Sequence, residues 1–153
     1  MDVKNEPSME MPFELIRDVS WSDYAILTPE DRERFIMTLG ISVCKGLCLH
    51  FPENGIVALA HMKPRESIEP YLSKIRSDLG HIDESPSYFF RKGPFAGYDL
   101  DYSPIMKMYF GARPHQKVIY KNIQPRDDSF SIVVDKETGI FYIHGRHSDV
   151  LKI

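Results

Sequence analysis

The sequence has no long apolar run, no excess of positive charge and no recognisable leader. Its apolar stretches are far shorter than the ~20 residues that a membrane-spanning helix needs. Its 22 acidic residues outnumber 19 basic ones and give a net charge of −3, which argues against a surface that follows nucleic-acid phosphates. The first residues, MDVKNEPSMEMP, are acidic and polar, unlike a signal peptide. We therefore expect a cytoplasmic protein that neither inserts into a membrane nor binds nucleic acid.

Cysteine is scarce, with only Cys44 and Cys48 in 153 residues. On one strand, residues four apart lie about 13 Å from each other. That separation exceeds the ~7 Å between Cα atoms that a disulfide tolerates. Both cysteines are therefore expected to be free thiols, as in a reducing compartment.

The pattern of apolar residues predicts one α+β domain. A chain of 153 residues with 42% hydrophobic content can bury one core, and we expect a flexible lead over residues 1–12 followed by a single domain over residues 13–153. Helical spacing in SIEPYLSKIRSDLG and YSPIMKMYFGA predicts two main helices, and TPEDRER predicts a short helix or a turn. Strand patterns occur in FELIRDVSWSDYAIL, FIMTLG, VCKGLCLHF, GIVALAHM, SYFFRKG, KVIYKNI and SFSIVVDKETGIFYIHG. The mixed order favours largely antiparallel sheets, arranged like a sandwich and flanked by the helices.

The hairpin around the tetrapeptide PENG relates Cys44 to His61. A turn centred between Glu53 and Asn54 makes Cys44 face Lys63 and lie diagonal to His61, whereas a two-residue Asn-Gly turn moves the pair one position further apart. Either register leaves both side chains on the same face, because side chains alternate along a strand. A three-residue loop or a bulge would instead place them on opposite faces.

A cysteine beside a histidine can perform nucleophilic chemistry. The imidazole takes the thiol proton and leaves a thiolate beside an imidazolium, and backbone N–H groups of the TLGIS turn could stabilise an oxyanion. The alternative is that Cys44 is a small core residue, as buried cysteines commonly are. We expect that role for Cys48.

The residues around this pair resemble a known family. The run T-L-G-I-S-V-C is followed by an apolar strand, the turn F-P-E-N-G and the segment A-L-A-H-M-K-P. These features resemble the CheD family of chemoreceptor glutamine deamidases, typified by T-L-G-x-G-S-C, C-L-x-D-P and G-x-A-H-x-M-L-P. Threonine, cysteine and histidine fall at matching spacings over about residues 35–64. A looser resemblance to the family's closing hairpin covers about residues 117–144.

The resemblance implies roles for three residues. Cys44 corresponds to the nucleophile, His61 to the general base, and Thr38 to the residue that helps orient the histidine. No metal or organic cofactor is implied. The small Gly-Ser before the family's cysteine is Ser42-Val43 here, and the glycine-rich middle motifs are not evident between residues 65 and 113. A chemoreceptor target is therefore not carried over to this chain.

The resulting hypothesis is a protein-glutamine deamidase that works through a thioester and releases ammonia. Its partner would be a protein bearing a reactive glutamine. The enzyme itself would act either in chemotaxis or as an effector, like the toxins related to cytotoxic necrotizing factor. One alternative is an inactive deamidase-like module that binds a regulatory protein, since CheD also binds the phosphatase CheC. Another is a related cysteine hydrolase, such as a transglutaminase-like enzyme or a peptidase.

Overall fold

The structure is a computed structural model that describes residues 13–92, 103–110, 115–116, 129–145 and 151–152. These residues form ten strands, two α-helices and one short 3₁₀ helix at Phe13–Leu15. The strands are β1 (Ile16–Asp18), β2 (Asp23–Leu27), β3 (Phe35–Ile41), β4 (Lys45–Phe51), β5 (Ile56–Met62), β6 (Ser87–Lys92), β7 (His115–Gln116), β8 (Phe130–Asp135), β9 (Phe141–Gly145) and β10 (Leu151–Lys152). The helices are α1 (Ile68–Leu79) and α2 (Ser103–Phe110). The fold is α+β, as the sequence predicts.

The strands form two five-stranded sheets. The first sheet has the order β1-β3-β8-β9-β10, and the second sheet has the order β2-β5-β4-β6-β7. All neighbouring pairs are antiparallel except β1 with β3 and β6 with β7. Strand β5, which carries His61, lies between β2 and β4, so its backbone is paired on both sides.

Apolar residues pack the two sheets face to face. The inner layer combines side chains of both sheets, among them Ile36, Phe130 and Phe141 from the first and Leu59 and Phe89 from the second. The opposite face of the second sheet packs on α1 and α2 through a separate apolar cluster. The second sheet is thus buried on both faces, which explains why β4 and β5 are apolar almost throughout.

Local signals fix the ends of α1. The side chain of Ser67 accepts a hydrogen bond from the N–H of Glu69 at the N-terminus, and Gly80, with φ of 70°, caps the C-terminus. Ile68, Tyr71, Leu72 and Ile75 are the buried residues of the helix. Their spacing is the one that predicts the helix from sequence.

Some segments differ from the structure expected from their sequence. TPEDRER forms turns and bends, and the segment FELIRDVSWSDYAIL forms the 3₁₀ helix and two separate strands instead of one. The predicted strand KVIYKNI and the predicted flexible lead lie outside the described residues. Among the helices of the described part, none is long and apolar enough to span a membrane.

Candidate active site

The β4–β5 hairpin places Cys44 and His61 on one face of the second sheet. Lys45 pairs with Met62 and Gly46 with His61, so the register is the one given by a turn centred between Glu53 and Asn54. Continued by one residue, it sets Cys44 opposite Lys63 and diagonal to His61. Cys44 packs in the layer between the two sheets. The four-residue loop of the turn therefore decides the register in favour of a shared face.

Thr38 contacts His61 from the opposite sheet. Its hydroxyl oxygen lies 2.6 Å from Nδ1 of His61, and both residues are buried. Thr38 ends the regular pairing of β3 with β8, because the register shifts between Thr38 and Ile41 and Gly40 adopts a positive φ of 68°. Such a bulge changes the direction of the strand locally. The contact thus forms where the first sheet bends beside the hairpin.

The hydrogen bonds of Thr38 determine the tautomer of His61. The Thr38 hydroxyl donates to the main-chain carbonyl of Val19 at 2.8 Å. Since a hydroxyl has only one proton, its oxygen must accept from the Nδ1–H of His61. A neutral His61 then carries no proton on Nε2. Among the residues that the structure describes, Nε2 is buried without a hydrogen-bond partner, so a basic lone pair is left available on the inner face.

Cys44 lies in a bend immediately before β4 and is 7% exposed. It is a free thiol, as is the fully buried Cys48. Its sulfur makes no hydrogen bond to Nε2 of His61 within the described part. Catalytic hydrogen bonds are often long in an enzyme without substrate and tighten when substrate binds. The main-chain N–H groups of Val43 and Cys44 have no acceptor among the described residues.

Gly46 provides the space for this arrangement. It is paired with His61 on the hairpin, between the two cysteines. A Cβ at this position would lie 2.6 Å from Cδ1 of Ile132 and 2.7 Å from Cδ1 of Ile41, both in the first sheet. A side chain here would therefore require the ends of both isoleucine side chains to move within the layer between the sheets. Glycine at this position lets the first sheet pack directly over the strand that pairs with His61.

The electrostatic surroundings favour a neutral pair at rest. Burial, and then the charge of Glu66, raise the pKa of the Cys44 thiol, although Lys63 and Lys45 act in the opposite direction. Burial lowers the pKa of His61, and Glu66 partly offsets this. Both directions favour thiol and imidazole over the thiolate and imidazolium that the sequence suggested. The pair is suited to general-base catalysis, in which the proton moves during attack.

Glu66 is an organising residue that the sequence reading missed. Its carboxylate accepts hydrogen bonds from the Ser22 hydroxyl at 2.8 Å, the Lys63 N–H at 2.6 Å and the Tyr71 hydroxyl at 2.8 Å. Burial and the bond to Glu66 raise the pKa of Tyr71 to about 12. The Lys45 ammonium donates to the main-chain carbonyl of Glu66. The only feature of the sequence that could have pointed to Glu66 is its position one residue before Ser67, the N-cap of α1.

The described part of the chain also contains side chains of the types that ligate metals. Its histidines, cysteines and carboxylates form no group of three or more that could hold a metal ion. Cys48 is in the core, as expected. Thr38 and His61 are therefore brought into contact by the structure, while Cys44 lies diagonal to His61 on the same face.

The chain was also compared with known proteins. No family model matches it. No curated protein matches it either. The site therefore has to be interpreted from its own geometry.

Proposed function

We propose that this protein is a cysteine-dependent protein-glutamine deamidase. Cys44 is the nucleophile, His61 the general base, and Thr38 the positioning residue that holds the imidazole. The observation that carries the proposal concerns Nε2 of His61, which has no hydrogen-bond partner among the described residues and which the Thr38 hydrogen bond leaves unprotonated on the face that Cys44 shares. A buried basic nitrogen without a partner has a free-energy cost that packing alone does not explain.

The reaction begins with attack of the Cys44 sulfur on the side-chain amide carbon of a substrate glutamine. The thiol proton passes to Nε2 of His61 as the S–C bond forms. The amide oxygen becomes an oxyanion, and we assign its stabilisation to the N–H groups of Val43 and Cys44, which have no acceptor among the described residues. When the C–N bond breaks, Nε2 gives its proton to the departing nitrogen. Ammonia departs, and the substrate remains attached to Cys44 as a thioester.

Water completes the cycle. His61 takes a proton from the water as its oxygen attacks the thioester carbon. The C–S bond then breaks, the sulfur recovers a proton from Nε2, and the product is the glutamic acid side chain, which loses its remaining proton to water or ammonia and becomes a carboxylate. Each step uses only Cys44, His61, the substrate and water. The target gains a negative charge where a neutral amide stood, which changes its hydrogen bonding.

The first experiment measures the alkylation of Cys44 by iodoacetamide between pH 5 and 10, with Cys44 followed by peptide mass mapping. At neutral pH the rate is expected to fall at least tenfold in His61→Ala and to be unchanged in the control His81→Ala, whose side chain is 84% exposed. If Cys44 reacts at the same rate with and without His61, the two residues do not act together and the assignment fails.

The second experiment measures product. Glutamine-containing proteins incubated with the enzyme should gain about one dalton per site and release ammonia, and Cys44→Ala should abolish both. A mass gain equal to that of an added amine would indicate transglutamination, and a cut chain would indicate a peptidase. Either result would replace deamidation while keeping the Cys44–His61 pair.

A binding module without turnover is the second candidate. It is favoured by burial of the Cys44 thiol, which raises its pKa, and by the absence of a hydrogen bond from its sulfur to His61. In that case Cys44→Ala would leave partner binding intact and no substrate would change mass. We propose the cytoplasm as the compartment for either function, because free thiols persist there.

A further inference from the structure

Exposed apolar residues neighbour the site residues in the chain. Five large hydrophobic residues are exposed among those the structure describes, and three of them lie in segments that also carry site contacts. Leu39, 57% exposed, follows Thr38; Val43, 45% exposed, precedes Cys44; and Trp21, 66% exposed, belongs to the connection between β1 and β2 that also contains Val19. We call Trp21, Leu39 and Val43 the apolar rim. Exposed apolar groups gathered at one place mark interaction sites more than scattered ones do.

Two residues of the apolar rim, Trp21 and Leu39, line an open cleft together with Lys63, which the hairpin register, continued by one residue, sets opposite Cys44. The volume of the cleft is about 640 Å³, and its lining consists of Asp18, Val19, Ser20, Trp21, Leu39 and Lys63. This volume falls within the ~300–1,000 Å³ of typical ligand pockets, which is more than one glutamine side chain fills. The lining carries one acidic and one basic residue, Asp18 and Lys63. The cleft therefore gives no preference for a substrate of either charge, and it offers Trp21 and Leu39 as exposed large apolar groups between polar residues.

Hydrogen bonds fix the cleft walls. The turn that bears Trp21 is tied to the turn that bears Lys63 through the bond from the Ser22 hydroxyl to Glu66. The Glu66 carboxylate also holds the Lys63 N–H, and Ser22 itself has a positive φ of 56°, which a non-glycine residue adopts at a cost. A surface held in place before binding loses less conformational entropy on association.

We propose that the apolar rim docks the protein substrate beside its target glutamine. The inference rests on the proposed function and names the class of substrate: an extended segment with an aromatic or large aliphatic side chain adjacent to the glutamine. His61 is fully buried and Cys44 is 7% exposed. The substrate chain therefore lies across the cleft at the protein surface, and its glutamine side chain projects inward toward Cys44. Its neighbouring side chain then lies on Trp21 and Leu39.

The test uses two electrophiles that differ by an apolar arm, iodoacetamide and N-benzyliodoacetamide. The ratio of their rates at Cys44 is compared with the same ratio for glutathione, which has no rim. We expect the benzyl reagent to be favoured about tenfold, the order given by partial burial of one ring. That preference should disappear in Trp21→Ala and in Leu39→Ser. It should persist in the controls Phe13→Ala and Met108→Ser, which alter exposed apolar residues elsewhere.

Substrate class is tested by protection. A peptide with phenylalanine on both sides of glutamine should slow alkylation of Cys44 at a concentration at least fivefold lower than a peptide with glycine in those positions. Trp21→Ala should remove the difference. Equal protection by the two peptides, or a benzyl preference equal to that of glutathione, overturns the proposal. Faster labelling by both reagents on dilution would show that a second copy of the chain covers the rim, and also overturns it.

Failure here is distinguishable from failure of the proposed function. Binding to the apolar rim involves no contact with His61. The ratio of the alkylation rates by N-benzyliodoacetamide and iodoacetamide should therefore be the same in His61→Ala as in the wild type, even if both rates fall. A rim preference with no dependence of iodoacetamide labelling on His61 contradicts catalysis while leaving the docking surface intact. If iodoacetamide labelling depends on His61 but the benzyl reagent is not preferred, the catalytic pair is supported and the apolar rim is not a docking surface.

Discussion

The hydroxyl of Thr38 lies 2.6 Å from Nδ1 of His61, although the two residues belong to different sheets. The same hydroxyl donates to the carbonyl of Val19, which precedes β2 in the chain. One threonine therefore links three segments and sets which imidazole nitrogen is basic. The orientation of a buried histidine is normally fixed in this way by the partner of its other nitrogen.

Removing that hydroxyl should release the imidazole. We expect Thr38→Val to lower the free energy of unfolding by about 1–3 kcal/mol, because the Nδ1–H of His61 and the Val19 carbonyl both lose a partner in a buried place. Thr38→Ser keeps the hydroxyl and should lose less. Urea denaturation measures the stability, and ¹⁵N NMR of labelled histidine measures the tautomer. A wild-type His61 protonated on Nε2 would contradict the assigned hydrogen bond.

The stability of the protein should depend on the protonation of His61. Burial lowers the pKa of His61 in the folded state, while the unfolded chain keeps the ordinary value of about 6.5. The unfolded state therefore binds the proton more readily, so the stabilisation is present above that value and is lost as pH falls toward the folded pKa.

This dependence is measurable as a melting temperature that falls between pH 7.5 and pH 5.5. The variant His61→Asn should have a flatter profile in that window, whatever its absolute stability. The carboxylates whose pKa values are lowered, those of Glu33, Glu66 and Asp135, affect stability at lower pH. Identical slopes for the variant and the wild type would show that His61 does not titrate with the expected shift.

Gly46 should not tolerate a methyl group. Gly46→Ala is expected to cost about 1–3 kcal/mol, because the new Cβ would clash with Cδ1 of Ile132 and of Ile41. Ile132→Val removes one of these methyl groups. By itself it should cost about 0.5–1.5 kcal/mol, but combined with Gly46→Ala it should cost less or restore stability. A double-mutant cycle by urea denaturation checks this, and strict additivity would refute the clash.

The ion pair between Arg34 and Asp135 should contribute more to the free energy of unfolding than an ion pair between two more exposed side chains. Two guanidinium nitrogens of Arg34 lie 2.9 and 2.8 Å from the two carboxylate oxygens of Asp135, whose side chain is 2% exposed. Arg34 lowers the pKa of this carboxyl against the effect of burial. Arg34→Ala leaves a buried charge unpaired, so we expect a loss of about 3 kcal/mol, the low end for buried pairs, because Arg34 itself is 37% exposed.

Arg17→Ala is the matched control for this pair. Two guanidinium nitrogens of Arg17 lie 3.0 and 2.9 Å from one oxygen of Glu33, Oε2, and the two side chains are 35% and 24% exposed. Exposed pairs contribute about 0–1 kcal/mol, so this variant should lose less than Arg34→Ala. If both variants lost the same free energy of unfolding, the burial of Asp135 would not increase the contribution of its ion pair to stability.

The sequence by itself determined the elements whose signals are local. The Ser67 cap, the spacing of Ile68, Leu72 and Ile75, and Gly80 define α1 within a few turns of chain. The PENG turn likewise predicts the β4–β5 hairpin, but the shared face of Cys44 and His61 depended on the length of the loop, and the four-residue loop of the structure decides it. These features depend on neighbours in the chain, so their residues can be recognised without a partner.

Only the tertiary structure decided the surroundings of that pair. The contacts from Thr38 to His61, from Val19 to Thr38 and from Ser22 to Glu66 join residues that are 23, 19 and 44 positions apart. The first exists because the two sheets pack face to face, whereas Val19 meets Thr38 through the pairing of β1 with β3, and Ser22 meets Glu66 beside the pairing of β2 with β5. Residue types and spacing do not encode which sheet a strand joins. The tautomer of His61, the neutral state of the pair and the walls of the cleft follow from that packing, since burial and hydrogen-bond partners set all three.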